Sequence, residues 1–570
     1  MNNGTTDPAN RRVASKPVVQ HAERIGYLLL FTILGLHLLG ALWLLAGGSL
    51  SQTISVALVL AAIAGAIALS GPAPALRKLM DVAAMLLVLA ACFAWAGQFI
   101  DATVDGTLYH FEAIDSLAHG WNRLHGIPAT MDYEAPPLMV WAIHYPAGHW
   151  IVAAIFAAIG LPIDAVNGIW IALAIAVALL TITTLIRLGL HWAWAVPIAL
   201  IAAGNPIYLQ QMATRMNDGI AGLLLLAFIV LSAAAFVLRD RRAAIGLCLV
   251  LLLLLNIKFS MVPVAVVFSA GACLLLLLRD GWRPALKAGG LLLLAGVLGT
   301  LVIGWSPYVT NWRDYGHPFH PVMGPQKRDI MSYNTPEAIS KAGYPANFWV
   351  SLGSTSNNLD AHVKPPFSVS LTEFHDSSHP DTRLAGMGPL FSAALLLGLI
   401  AAVLARVGGR FTQAQRLVLL GTVAMFLFAA LFPEGWWARY VPWLWLVPIG
   451  LALVAIGSGR RLPRAAAALT LLAAGMNSAL LLATTTNLSL SFTTRAKADI
   501  ARMQQAPTPV TIDFGENRYL QARLHRDHIP VRAADFDHQP PCPNARILGG
   551  TYSEIQGLVC LDPPKATATK

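Results

Sequence analysis

Apolar runs of about 20 residues recur along most of this 570-residue chain. A bilayer core of roughly 30 Å demands that length of a helix, and a helix satisfies its own backbone groups in lipid. Charged residues make up 12% of the sequence and hydrophobic residues 56%; soluble domains carry roughly 25% charged residues. A soluble multidomain enzyme, a disordered chain and a protein of basic nucleic-acid-binding modules are all excluded, so no nucleic-acid partner is expected. The expected fold is an all-α polytopic membrane protein with about 13 transmembrane helices.

The spans are expected at 25–47, 52–71, 79–98, 165–187, 191–205, 217–238, 243–257, 260–278, 284–305, 387–405, 415–433, 439–457 and 464–484. Residues 1–24 form a polar tail with Arg11, Arg12, Lys16 and Arg24, and the run that follows reads as a membrane helix rather than a cleaved signal peptide. The short loops holding Arg77/Lys78, Arg187, Arg239/Arg241/Arg242, Arg279/Arg283/Lys287, Arg406/Arg410/Arg416 and Arg460/Arg461/Arg464 fall on the side of that tail. The excess of basic residues behind the +10 net charge is therefore an orientation signal, and it puts the N-terminus in the cytoplasm. Residues 147–161 are apolar but short; counting them as a span would put Arg239–Arg242 outside. They are expected to lie at the outer interface or enter only partway.

Three long regions then share the outer, periplasmic face: 99–146, 306–386 and the C-terminal 485–570. The last contains Thr511-Ile512-Asp513-Phe514, which reads as a strand, and is expected to be a small α/β domain. Cys92, Cys248 and Cys273 lie in apolar runs and read as packing residues, whereas Cys542 and Cys560 share the polar tail and are expected to be bonded in an oxidising compartment.

Polar residues beside a bilayer need a partner or a task. Asp101 and Asp105 follow the third span, ahead of Tyr109, His110, Glu112 and Asp115 on an amphipathic segment. An acid here can serve as a general base on a hydroxyl, or simply cap that helix. His144-Tyr145-Pro146 closes the first outer region; its histidine can ligate a metal or sit at the interface. Arg215-Met216-Asn217-Asp218 opens a span from outside, where Asp218 also suits a helix N-terminus. Lys258 stands in a tight outer turn, and Arg439-Tyr440 opens the twelfth span. Lys258 and Arg439 together would clamp a lipid phosphate. No phosphate-binding glycine loop or dinucleotide fingerprint is present, which argues against ATP or NAD as donor.

Taken in order, these motifs resemble the GT-C superfamily of membrane glycosyltransferases, and within it the bacterial branch related to protein O-mannosyltransferases and aminoarabinose transferases. The likeness is carried by Asp105-Gly-Thr-Leu-Tyr109-His110, His144-Tyr145-Pro146, Arg215-Met216-Asn217-Asp218, Asn256-Ile257-Lys258, Asn311 through Tyr315-Gly316-His317-Pro318-Phe319, and Arg439-Tyr440-Val441-Pro442, over roughly residues 80–457. Gly106 stands where the family pairs a second acid, and His144 replaces a carboxylate of some relatives.

The resemblance implies an inverting transfer of a sugar from a polyprenyl-phosphate donor to an acceptor hydroxyl on a lipid, glycan or protein at the periplasmic face of a bacterial inner membrane. Asp105 would be the base. Lys258, Arg439 and Arg215 would hold the leaving phosphate, while Asp218 and His144 would hold the acceptor, His110 or a divalent metal. Tyr109, Tyr145 and Tyr440 would line the substrate site. The alternatives are a lipid or polysaccharide transporter or flippase, and an oligosaccharide ligase.

Overall fold

The computed structural model describes residues 17–126, 139–506, 509–514, 517–534, 546–549 and 557–560. The principal helices are α1 Pro17–Leu45, α2 Gln52–Leu69, α3 Ala75–Ala96, α4 Tyr109–Ala118, α5 Gly148–Ala158, α6 Gly168–Arg187, α7 Trp192–Ala203 and α8 Asp218–Ser232. They continue with α9 Arg241–Leu255, α10 Met261–Asp280, α11 Trp282–Leu298, α12 Phe391–Val407, α13 Gln413–Ala430, α14 Leu446–Ile456, α15 Arg461–Gln504 and α16 Arg518–Arg526. Nine helices among the described residues are long and apolar enough to cross a membrane. This is a multi-pass α-helical membrane protein. The other four expected spans fall on the shorter helices α7, α9, α12 and α14.

Local chemistry fixes where these helices start. Ser51 accepts a hydrogen bond from the Ile54 N–H ahead of α2, Asp240 caps α9 through Arg242 N, and Thr412 with Gln415 forms a reciprocal capping box on α13. The basic loops are also gathered. Arg187 at the end of α6 pairs with Glu23 of α1 and with Asp240 at 2.8 Å, and Arg242 reaches Asp240 at 3.0 Å and Glu23 at 3.3 Å. The ends of α1, α6 and α9 therefore meet on one side of the bundle.

The segment 147–161 forms helix α5. It is 11 residues long, about 16 Å, the same length as α14. His149, Trp150 and Ile155 are buried, with α1, α2 and α4 packed around the helix. An all-apolar helix buries every face when the protein surrounds it.

The boundary placed at residue 485 falls inside a helix, since α15 runs unbroken for 44 residues to Gln504. Beyond it lies a small α/β unit. Strand β1 (Val510–Asp513) pairs parallel with β2 (Val531–Ala533) through α16 and antiparallel with β4 (Leu558–Cys560), which pairs with β3 (Arg546–Ile547). Cys92, Cys248 and Cys273 are free, and Cys560 is disulfide-bonded. The pairing expected with Cys542 concerns a residue outside the described ones.

Candidate functional site

The charged cluster is assembled from five separate stretches of chain. Asp105 stands in a one-turn helix, Val104–Thr107, just past α3. That turn is built by Asp101, whose Oδ1 accepts from the backbone N–H (2.9 Å) and hydroxyl (2.7 Å) of Thr103 and whose Oδ2 accepts from Arg215 N at 2.7 Å. The two acids, interchangeable on sequence, are thereby sorted. Asp101 is sealed in as the structural carboxylate, with 1% of its side chain exposed, while that of Asp105 keeps 32%.

The same packing explains Gly106. A Cβ at that position would lie 2.1 Å from Asp101 Oδ2 and 2.4 Å from Thr103 Oγ1. No acid can stand beside Asp105, because the Asp101 carboxylate fills its place. Gly106→Ala is expected to cost about 1–3 kcal/mol through overpacking, read as a lowered thermal midpoint of the purified protein.

Lys258 sits in the turn between α9 and α10. Asn217 holds that turn by donating to Ile257 O at 2.9 Å. The Lys258 ammonium ion-pairs with Asp218, the first residue of α8, and lies 4.0 Å over the Tyr440 ring. Gln211 donates to the other Asp218 oxygen at 3.1 Å. Arg439, in the turn Ala438–Tyr440, completes the group. Its Nη1 is 3.3 Å from Asp105 Oδ2, 4.0 Å from Asp218 Oδ2 and 3.0 Å from Asp381 Oδ1, the last in ion contact but off the N–H axis. Its guanidinium lies over Trp437 at 4.3 Å and near Tyr440 at 5.5 Å, a stacking that suits a planar cation.

Three carboxylates thus face two cations in one cluster. Asp381 was not singled out in the sequence. Burial, reinforced by the charge of Asp105, pushes its carboxyl upward, with Arg439 pulling the other way. Tyr109 and Tyr145 flank the group, with ring centroids 6.4 Å apart. Burial first, then the field of Asp105, raises the Tyr109 phenol well above its ordinary value, so it stays protonated.

Other residues named from the sequence lie elsewhere or hold different partners. Arg215 is fully buried between Asp101 (3.3 Å) and Asp164 (2.9 Å), stacked on Tyr519 at 4.6 Å, and Asp164 is shared with Arg523 at 2.9 Å. With carboxylates on both sides it presents no free face to a phosphate. It anchors Asp101 instead, and ties the C-terminal unit to the first outer region.

His144 donates through Nδ1 to Asn311 Oδ1 at 2.7 Å, since the Asn311 amide is spent on the carbonyls of His144 and His320. Its ring stands edge-on to Tyr315 and His320, which are stacked at 4.0 Å. Burial lowers its pKa to about 4. His110 accepts at Nδ1 from the Trp150 indole at 2.7 Å, which fixes its proton on Nε2. Burial and nearby cations keep it neutral.

Of the two residues considered above as metal ligands, His144 holds Asn311 through Nδ1, and Asp218 holds Lys258 and Gln211. Among the described residues no three His, Cys, Asp or Glu side chains are grouped to hold a metal ion. Comparison with models of known families, with curated proteins and with solved structures finds no match. The function rests on the geometry.

Proposed function

We propose that this chain is an inverting glycosyltransferase using a polyprenyl-phosphate-linked sugar, as the resemblance to the GT-C superfamily implies. The observation that carries the reading is the convergence of one accessible carboxylate, Asp105, with Lys258 and Arg439 around Asp218 and Tyr440. In this scheme the acceptor oxygen attacks the anomeric carbon, and its proton passes to Asp105. The bond from that carbon to the phosphate oxygen breaks, and the electron pair leaves on the polyprenyl phosphate. Lys258 and Arg439 stabilise the charge developing on that oxygen, a contribution of about 3–4 kcal/mol for a preorganised donor.

The resting ion pairs have a part in the scheme. Arg439 is engaged by carboxylates before donor arrives, so an incoming phosphate exchanges with Asp105 on the guanidinium. That exchange releases the base as the donor binds.

The scheme places the site at the periplasmic face of a bacterial inner membrane, with thirteen crossings, the N-terminus cytoplasmic and the C-terminal unit periplasmic. It takes a lipid, glycan or protein hydroxyl as acceptor. The test is purified protein in nanodiscs with a radiolabelled polyprenyl-phosphate sugar, an envelope extract as acceptor source and no membrane gradient. Label moving to an acceptor as single sugar units is expected. Movement of intact donor between leaflets of proteoliposomes, without transfer, would replace the enzyme by a flippase.

A further inference from the structure

The loop Pro365–Thr372 is uncharged, and all eight of its residues are exposed, with Phe367 59%, Val369 43% and Leu371 90% accessible. Its stem, by contrast, is locked. Lys364 donates to both oxygens of Glu373 and to Pro389 O, each at 2.7 Å, and both side chains of that ion pair are buried. A soluble surface seldom displays such an apolar run on so firm a base.

What lies beneath the loop identifies its surroundings. Pro389 stands two residues before α12, and Ser392 in the first turn of α12 donates to Pro366 O at 3.3 Å. Ser392 begins a stripe continued at helical spacing by Leu396, Leu399, Ile400, Val403 and Val407, all exposed apolar residues on the outside of a membrane helix. The loop therefore caps a lipid-facing stripe. Nearby, Tyr344 donates to Leu431 O at 3.1 Å and the exposed Trp349 packs on Phe426 at 5.7 Å, at the corresponding end of α13. Tyr and Trp collect at the headgroup level of a bilayer.

We infer that Pro365–Thr372 inserts into the adjoining leaflet and anchors the 306–386 region to the lipid surface. Two prolines remove backbone donors, and Ser368 N bonds to Pro365 O at 3.0 Å. The remaining free backbone groups stop the loop at interfacial depth, since unpaired amides are not tolerated in the hydrocarbon. The inference needs only a membrane protein and is independent of glycosyl transfer.

The test places a nitrobenzoxadiazole amino acid at 367 or at 369, with 337, an exposed outer-region position, as reference. The full chain is reconstituted in phosphatidylethanolamine–phosphatidylglycerol vesicles. Lipids with a nitroxide at the headgroup or upper acyl chain are expected to quench 367 and 369 several-fold more than 337, and aqueous iodide several-fold less. Quenching at 367 and 369 that matches 337 would overturn the anchor. Protection from both quenchers would also overturn it, showing that protein, such as a second copy of this chain, covers the loop.

Discussion

Asp105→Asn is expected to cut sugar transfer by about a hundred- to ten-thousand-fold, the usual worth of a positioned general base. The variant should accumulate and melt like the parent. Asp105 is one of three carboxylates facing two cations, so losing its charge leaves two against two, and its partly exposed side chain supports no buried hydrogen-bond network. The measurement is initial transfer rate at saturating donor, set beside the thermal midpoint. Near-normal transfer would remove Asp105 from the chemistry. Asp101 shows why the pair of readouts matters. Its carboxylate serves Thr103 and Arg215 together, so loss of charge there lowers the midpoint as well as the rate.

Lys258→Met produces the second large effect, and it has two separable parts. Both Lys258 and Asp218 are buried, and removing the ammonium leaves the carboxylate without its nearest counter-charge. Breaking a buried pair in this way costs about 3–5 kcal/mol, mostly because the partner stays charged and unpaired. Adding Asp218→Asn to Lys258→Met should restore most of the thermal midpoint, since the stranded charge has gone. Transfer should remain lost, because the cation that meets the departing phosphate has not returned. Recovery of rate along with stability in the double variant would reduce Lys258 to a structural role.

The parts of this molecule written in local pattern were legible, and those written across the chain were not. Apolar length located the membrane helices because lipid imposes one requirement on each, independent of its neighbours. Asp105, Lys258 and Arg439 could be linked because each stands in a short motif at the end of an apolar run. Asp381 carries no such mark. It lies in the irregular stretch His379-Pro380-Asp381-Thr382-Arg383, and only the fold turns it toward Arg439. Gln211 is equally silent in the sequence, though it holds Asp218.

Arg215 illustrates the opposite error. A cation at the outer start of a span looks available for phosphate, yet Asp101, 114 residues earlier, and Asp164 occupy it from both sides. His144 suggests a metal by its residue type, while the partners it holds in the fold, Asn311, Tyr315 and His320, sit in a motif that the sequence shows separately.

Helix α15 has a consequence that its length alone determines. Forty-four residues rise about 66 Å, roughly twice the thickness of the hydrocarbon. It works as a mast, and Thr493 on its upper half accepts the Ile100 N–H at 2.9 Å, immediately before Asp101. The position of the Asp105 turn along the bundle is thus set by a rigid ruler rather than by a slack loop. For the transfer proposed above, the acceptor would have to come to that level, beside the mast and the α/β unit at its tip.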